Sequence, residues 1–433
     1  MNTSTGERRA SASPSPKLRR LAAVLVVALA AGLMILGAGP VQHPSSARSI
    51  AESEIDFFSH RVAENPRDVV SATRLAQALR QHQRETSDIA SLAEADEILS
   101  AAIRAIPGYL PARLAHAQVL IDLHRFEEGL ALATAVVESG GDSSAQLTVG
   151  DALLALGEYD LAEATFRAVK LTSDSPAVDA RLARLAELRG DRAAAIAIME
   201  DAFALVVTEA RGGEQVAWFA TRLGNLYLDD GQTDPALERF ESALFALPDY
   251  APALTGLGDV GVARGDIDGA ITWYERATSV ATDPDWYFTL AELHRLAGNL
   301  EAGATYTELA VGTVATFGEI HPRDFALHYA SLDNPTAMSF AQKGLDRTDD
   351  IYAHDTMAWV LYHAGNYELA QSHSRIALSL GTKDAELIYH LGAILLALGD
   401  TAGGTALILE AVNIGLDPWV EAEAAELLAD AEN

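Results

Sequence analysis

Hydrophobic side chains follow two different patterns along this chain. Residues 21–39 form an uninterrupted apolar run without a charged side chain. Further along, small and large apolar residues recur at fixed spacings among polar ones, and the order seen in residues 217–250 returns in residues 251–284. A period of this length is the signature of a helical repeat array. The pattern predicts an all-α chain in which one hydrophobic segment precedes a solenoid of antiparallel helix pairs.

The two clearest units share a framework of glycine, alanine and aromatic positions. Gly224 and Gly258 are expected inside the first helix of their units, where glycine costs about 1 kcal/mol relative to alanine. A glycine there makes sense if the partner helix crosses closely, with an aromatic ring filling the remaining space. The equivalent pairs are Gly224 and Gly258, Gly231 and Gly265, Ala236 and Ala270, Phe240 and Tyr274, and Ala243 and Ala277.

Glycines mark the turn inside successive units. Each is expected to end a first helix in the left-handed conformation: Gly157, Gly190, Gly231, Gly265, Gly298, Gly365 and Gly399. About ten hairpins are predicted across residues 67–418. The spacing also predicts an inserted loop near residues 211–213 and a lengthened turn at residues 84–91. Asp234 and Asn334 are expected to cap second helices whose first positions are Pro235 and Pro335.

One unit carries most of the tetratricopeptide repeat pattern. The matching residues are Leu223, Gly224, Tyr227, Gly231, Ala236, Phe240, Ala243 and Pro248, whereas Ala220 stands where that pattern has a large residue. The chain therefore resembles the tetratricopeptide repeat superfamily, in particular bacterial multi-repeat proteins with an N-terminal membrane segment. The resemblance implies a right-handed superhelical solenoid that binds a protein or peptide partner and has no catalytic activity of its own.

The resemblance also implies where a partner binds. In the family, partners lie in the concave groove lined by the first helix of each hairpin. Aromatic residues mixed with acids suit an extended peptide with basic and apolar side chains. Two alternatives stay open, because the rings could pack between repeats and the acids could form a solvated face. The groove residues carried over from the family are Trp218, Asn225, Asp229, Asp259, Glu292, Arg295, Tyr352, Asp355, Trp359, Tyr362 and Tyr389.

The N-terminal hydrophobic run suggests a membrane segment. As a helix, residues 21–39 would span about 28 Å, close to the roughly 30 Å of a hydrocarbon core. Basic residues of the 1–20 tail precede it, so the positive-inside rule puts the N-terminus in the cytoplasm and the repeats outside. A cleaved signal peptide, which would leave a secreted array, is the alternative. Residues 40–66 are expected to be a linker and first helix, and residues 419–433 a capping helix.

Composition narrows the possible functions. The net charge is −30, and because residues 1–48 carry +5, the remainder carries −35. So acidic a surface repels nucleic acid. The absence of cysteine excludes disulfides and thiolate chemistry. No metal site is predicted from His354, His363, His373 and His390, whose repeat positions point in different directions. No cofactor motif or catalytic residue is identified, and hairpins occupy the space that a catalytic domain would need.

The sequence therefore predicts a membrane-tethered scaffold that binds a protein or peptide through its groove. A secreted or cytoplasmic-facing adaptor, or an assembly factor for envelope biogenesis, is the alternative function.

Overall fold

The computed structural model describes residues 50–173, 175–209 and 213–431. The predicted tail 1–20, the hydrophobic segment 21–39 and the linker up to residue 49 lie outside these ranges, as does most of the expected loop at 211–213. Among the described residues, no helix combines the length and apolar character needed to cross a membrane.

The described residues fold into α-helices joined by turns, without strands, which confirms the all-α prediction. Helix α1 (Ile50–Glu64) leads into ten antiparallel pairs. These are α2 (Val69–Thr86) with α3 (Ile89–Ala105), α4 (Leu110–Asp122) with α5 (Phe126–Glu138), α6 (Ser143–Ala155) with α7 (Tyr159–Lys170), α8 (Pro176–Leu188) with α9 (Arg192–Thr208), and α10 (Gly213–Asp229) with α11 (Thr233–Ala246).

The second half continues the same arrangement. Its pairs are α12 (Ala251–Ala263) with α13 (Ile267–Val280), α14 (Pro284–Leu296) with α15 (Leu300–Gly312), α17 (Pro322–Tyr329) with α18 (Asn334–Leu345), α19 (Ile351–His363) with α20 (Tyr367–Ala377), and α21 (Ala385–Ala397) with α22 (Thr401–Ile414). The short helix α16 (Val314–Phe317) precedes α17, and α23 (Pro418–Ala431) ends the described chain.

The predicted framework of small and aromatic residues builds the core of each pair. Phe240 is completely buried on α11. A Cβ atom added to Gly224 would lie 2.7 Å from the Phe240 ring, and one added to Gly256 would also collide with that ring. Phe240 therefore fills space that glycine leaves open on α10 and on α12, and it joins two consecutive hairpins.

The turn glycines adopt the predicted conformation. All seven have φ between +73° and +86°. At Gly231, the amide donates to the Leu228 carbonyl, and the next amide, Gln232, donates to the Tyr227 carbonyl, each at 2.8 Å. These bonds satisfy carbonyl groups that the helix end leaves without partners.

Three local predictions were wrong by a few residues. Asp333, rather than Asn334, caps α18 by accepting from the Thr336 amide, and Asn334 instead donates to the Val360 carbonyl of α19 at 2.9 Å. Helix α11 begins at Thr233, so Asp234 lies in its first turn rather than at the cap. The turn after α2 is short because the helix continues through Thr86. Local capping choices compete closely, which makes helix ends hard to place from sequence.

The array also contacts itself across long sequence separations. The Ile351 amide donates to the Tyr159 hydroxyl at 3.0 Å, and Arg192 donates to the Lys383 carbonyl at 2.7 Å. A Cβ atom on Gly157 would lie 2.6 Å from a backbone oxygen of the segment before α19. Hairpins of the first half therefore touch hairpins of the second half, and the solenoid encloses a central cavity.

Candidate functional site

This central cavity has a volume of about 940 Å³. Its wall is formed mainly by first helices of successive hairpins, namely α8, α10, α12, α14, α17, α19 and the start of α21, and by residues 414–421. Ligand sites in proteins reach about 1,000 Å³. The cavity is therefore large enough for a peptide segment and lies on the concave side where the groove was predicted.

Several carboxylates of the cavity wall have no ion pair. Asp229, Asp259, Asp285 and Asp417 are four of them, and Asp384 and Glu421 likewise have no ion pair at 4.0 Å or less within the described residues. Asp229, Asp285 and Asp417 are exposed on the cavity surface, and Asp259 is partly exposed there. Neighbouring acids disfavour each other's ionised form, so the wall favours the arrival of a cation.

The titration of these groups reflects their surroundings. Burial raises the pKa of Asp259 to about 7, although the Tyr274 hydroxyl donates to its carboxylate, and Asp417 and Asp285 repel it further. Burial and the nearby Glu386 and Asp285 raise the pKa of Asp417 to about 7. Burial raises the pKa of both Asp229 and Asp285 to about 6. These cavity acids therefore bind protons at pH values at which ordinary surface acids stay ionised.

A second part of the wall carries two arginines that interact with other side chains of the protein. Tyr352 lies between Arg184 and Arg323, whose guanidinium carbons are 5.6 Å and 5.3 Å from the ring centroid. Arg184 donates to the Tyr352 hydroxyl at 3.1 Å, and Arg323 pairs with Glu386 at 2.9 Å. These contacts hold α8, α17, α19 and α21 together. Arg192 also lines the cavity and donates to the Lys383 carbonyl rather than to a carboxylate, so acids without an ion pair outnumber such bases on the wall.

A family model for the tetratricopeptide repeat matches residues 114–178 and 221–285, which together make up less than half of the chain. Both segments lie within the helix pairs described above. The match supports the tetratricopeptide repeat superfamily. Tetratricopeptide repeats indicate a protein-interaction scaffold, and proteins built from them generally bind protein partners.

Three solved structures are similar to this chain over most of its length. The APC/C hetero-tetramer Cut9-Hcn1 is 14% identical, with 88% of this chain and 93% of that chain covered and a TM-score of 0.35. Yeast Tom70 is 13% identical, with 96% of each chain covered and a TM-score of 0.39. The human IFIT1 dimer with PPP-AAAA is 16% identical, with 85% and 96% covered and a TM-score of 0.46. No curated protein matches the sequence.

The structure brings together five of the residues carried over from the tetratricopeptide groove. Asp229, Asp259, Glu292, Arg295 and Tyr352 all line the cavity. Glu292 and Arg295 form an ion pair with each other, and Tyr352 is held by its two arginines. Asp229 and Asp259 are the members of this set whose charge remains without a basic partner.

Four other groove predictions fall where neighbouring hairpins pack on each other. Trp359 stacks on Tyr362 at 4.8 Å and on His390 at 4.0 Å. Tyr389 is only 2% exposed. Asp355 is completely buried and accepts from His390 Nδ1 at 2.9 Å and 3.0 Å. In this structure, therefore, the rings pack between repeats, and Asp355 is an internal partner rather than a cavity group. Contact with a partner stays a prediction for all four.

The last two groove predictions lie away from the cavity wall. Trp218 is partly buried against the core of neighbouring hairpins, with its ring 4.9 Å from Phe219, and Asn225 is partly exposed on the same helix. The cavity wall includes Asp417 and Trp419 instead, which the sequence places at the end of the predicted array and at the start of the predicted capping helix. Repeat spacing has no signal for them, because they follow the last hairpin.

Two of the four clustered histidines meet, contrary to the sequence expectation. Nδ1 of His354 is 2.9 Å from Nδ1 of His373, and Nε2 of His354 is 2.7 Å from Asp349 Oδ1. The two rings face each other across one hairpin, which the helix positions alone did not indicate. Across the described ranges, no group of three or more potential ligands could hold a metal ion.

The raised pKa of Asp259 predicts how its neutralisation affects stability. Its folded pKa of about 7 lies above the ordinary value of 3.8, so this carboxyl stabilises the fold when protonated, and that contribution is lost as the pH rises from about 4 through 7. Asp259→Asn should therefore raise the free energy of unfolding by about 1 kcal/mol at pH 8, or roughly 2 °C in Tm, after allowance for solvent screening. Thermal melts at pH 8 and near pH 4 measure this.

The matched control is Glu301→Gln, which removes one charge at an exposed position of α15. It should leave the melting temperature unchanged at both pH values. An Asp259→Asn protein that melts lower than wild type at pH 8 would contradict the electrostatic account.

Proposed function

We propose that this chain is a membrane-tethered tetratricopeptide scaffold that binds an extended, basic segment of a protein partner inside its central cavity. The proposal is supported above all by the four carboxylates, Asp229, Asp259, Asp285 and Asp417, which line the cavity without a basic partner. Lysine or arginine side chains placed there would form ion pairs and remove the repulsion between neighbouring acids.

The apolar part of the wall favours a peptide over a free cation. Phe288, Leu327 and Leu416 lie among the acids on the cavity surface. A segment that alternates basic and apolar residues would bury its apolar side chains there while its charges meet the carboxylates. An extended backbone also suits a cavity that runs across several first helices.

The membrane tether rests on the N-terminal residues. The uncharged segment 21–39, preceded by Lys17, Arg19 and Arg20, supports an anchor with the repeats outside the cytoplasm. A reporter enzyme that is active only after export, fused after residue 433, should be active and should fractionate with membranes. Activity in the medium would favour a secreted adaptor, and an inactive fusion would favour a cytoplasmic-facing assembly factor.

Peptide binding tests the cavity. A fluorescein-labelled peptide of alternating lysine and leucine should bind the full-length protein in a fluorescence anisotropy titration, whereas a glutamate and leucine peptide of equal length should not. Replacing Asp229, Asp259 and Asp285 together with asparagine should weaken binding about tenfold or more, because the peptide loses its charge partners in a poorly solvated site.

The control makes the same change of net charge outside the cavity. Glu127, Glu301 and Glu368 are exposed residues in the first turns of α5, α15 and α20, and their joint replacement with glutamine should leave affinity within about twofold. Equal losses in the two triple variants would show that the peptide responds to net charge alone, and the cavity assignment would fail.

A further inference from the structure

The C-terminal helix of the chain reaches into the cavity. Residues 414–421, which join α22 to α23, form part of the cavity wall. Trp419, on the first turn of α23, packs against the cluster of Ala270, Tyr274, Leu290 and Leu293. That cluster belongs to α13 and α14, hairpins far away in sequence. Helix α23 therefore caps the last hairpin and also places an indole on the concave side of the array.

The acidic side chains of this segment lie next to acidic side chains of the cavity wall. Burial, and then Glu386 and Asp285 of the cavity wall, raise the pKa of Asp417. Asp417 in turn helps to raise the pKa of Asp259. Further along α23, burial and then Glu292 of α14 raise the pKa of Glu423. The start of α23 is thus an acidic segment in an acidic cavity, where Trp419 anchors it. The later turns of the helix pack on the last hairpin through Ala424, Leu427 and Leu428.

The connection to the array permits movement. Gly415 ends α22 with φ of +122°, and a Cβ atom there would meet no other atom within 4 Å. A glycine in open space between two helices can absorb the backbone rotation of a hinge. The first turn of α23 can then leave the cavity while Ala424, Leu427 and Leu428 stay packed on the last hairpin.

We propose that residues 417–421 are a displaceable occupant of the cavity, and that the position of the Trp419 ring is the subsite for an aromatic side chain of the partner, flanked by lysine or arginine. This inference rests on the proposed function and names the partner segment more closely. Such a segment would make the same aromatic contact as Trp419. Its basic side chains would attract the acids of the wall, whereas Asp417 is repelled by them, so the segment would compete favourably with the start of α23.

The probe for this site is the acetylated and amidated peptide Lys-Lys-Trp-Lys-Lys carrying fluorescein, and its comparison has alanine in place of tryptophan. Full-length Trp419→Ala should bind the tryptophan probe about tenfold more tightly than wild type, because the open state no longer has to be populated against the anchored helix. The alanine probe should gain much less. Phe245→Ala, which removes an exposed ring on α11, should bind like wild type.

A second variant acts in the opposite direction and protects the test against misfolding. Asp417→Lys would replace repulsion from Asp259 and Asp285 with attraction, so it should weaken probe binding about tenfold. In hydrogen exchange of the protein without peptide, residues 418–431 should exchange more slowly in Asp417→Lys and faster in Trp419→Ala. Asp430→Asn, an exposed position of the same helix, should change neither.

The outcomes separate this inference from the function on which it rests. In one outcome the probe binds wild type, Trp419→Ala binds it no more tightly, and hydrogen exchange of α23 is unchanged. That result would overturn the displaceable occupant and leave peptide binding in the cavity standing. If the probe binds no variant, the proposed function is overturned, and the exchange rates alone then decide whether α23 is held as described.

Discussion

Phe240→Ala should lower the free energy of unfolding by about 3 to 5 kcal/mol. Phe240 is completely buried, and its ring fills space left by Gly224 on α10 and Gly256 on α12. No side chain stands at either glycine to relax into the vacated volume, so the cavity remains. Urea unfolding followed by circular dichroism measures the loss.

The consequence should spread beyond one hairpin. In repeat arrays, stability is approximately a sum of terms for each repeat and each interface between neighbours, and Phe240 takes part in the hairpin of α10 and α11 and in its interface with α12. Hydrogen exchange should therefore rise in residues 213–263 before it rises in the terminal hairpins.

Phe245→Ala is the matched control, since it makes the same substitution on the same helix. Phe245 is 66% exposed, and its loss should cost less than about 0.5 kcal/mol. Similar losses for Phe240→Ala and Phe245→Ala would mean that helix propensity in α11, rather than filling of the glycine space, determines the effect.

His390→Phe should destabilise the last third of the array by about 3 to 5 kcal/mol, because it leaves a buried carboxylate without a counter-charge. Asp355 is completely buried and His390 nearly so, and they form a bidentate contact at 2.9 Å and 3.0 Å. Phenylalanine preserves a ring where His390 stacks on Trp359. The loss therefore reports the ion pair rather than the aromatic packing.

The double variant Asp355→Leu with His390→Phe should recover most of that loss, since apolar side chains of similar size often replace a buried ion pair at little cost. A complete double-mutant cycle by urea unfolding gives the coupling energy. If the double variant is less stable than His390→Phe alone, the buried carboxylate is not the source of the loss.

The same pair has a defined pH dependence. Burial alone would lower the pKa of His390, but the charge of Asp355 outweighs burial and raises it. A histidine with a raised folded pKa contributes stability that is full below its ordinary value near 6.5 and is lost as the pH rises through the folded value. The difference between wild type and His390→Phe should therefore shrink in alkaline solution.

Much of the repeat could be predicted because its constraints are local. A turn glycine must adopt positive φ whatever surrounds the hairpin, and Gly231 and its six counterparts do so. The spacing of Gly224, Ala236 and Phe240 likewise specifies which helix faces cross. Placement of cap residues was less accurate at Asn334 and Asp234, where neighbouring polar side chains offer the helix end alternatives of similar energy.

The site was only partly predictable because it depends on contacts between distant hairpins. Repeat positions placed Asp229, Asp259 and Tyr352 on the concave side, where they line the cavity. The same positions also selected Asp355 and Tyr389, which neighbouring hairpins cover. A repeat position describes orientation within one unit, whereas burial depends on the side chains that the next units bring.

The sequence by itself determined the hairpins, their turns and their aromatic cores, since these follow from interactions within about one repeat. Tertiary structure alone decided that the first and second halves touch and that Trp419 lies in the cavity wall. It also decided that Asp229, Asp259, Asp285 and Asp417 share that cavity. Small rotations between successive hairpins add up over the array, so the closing contacts depend on all the interfaces together, and no short stretch of residues encodes them.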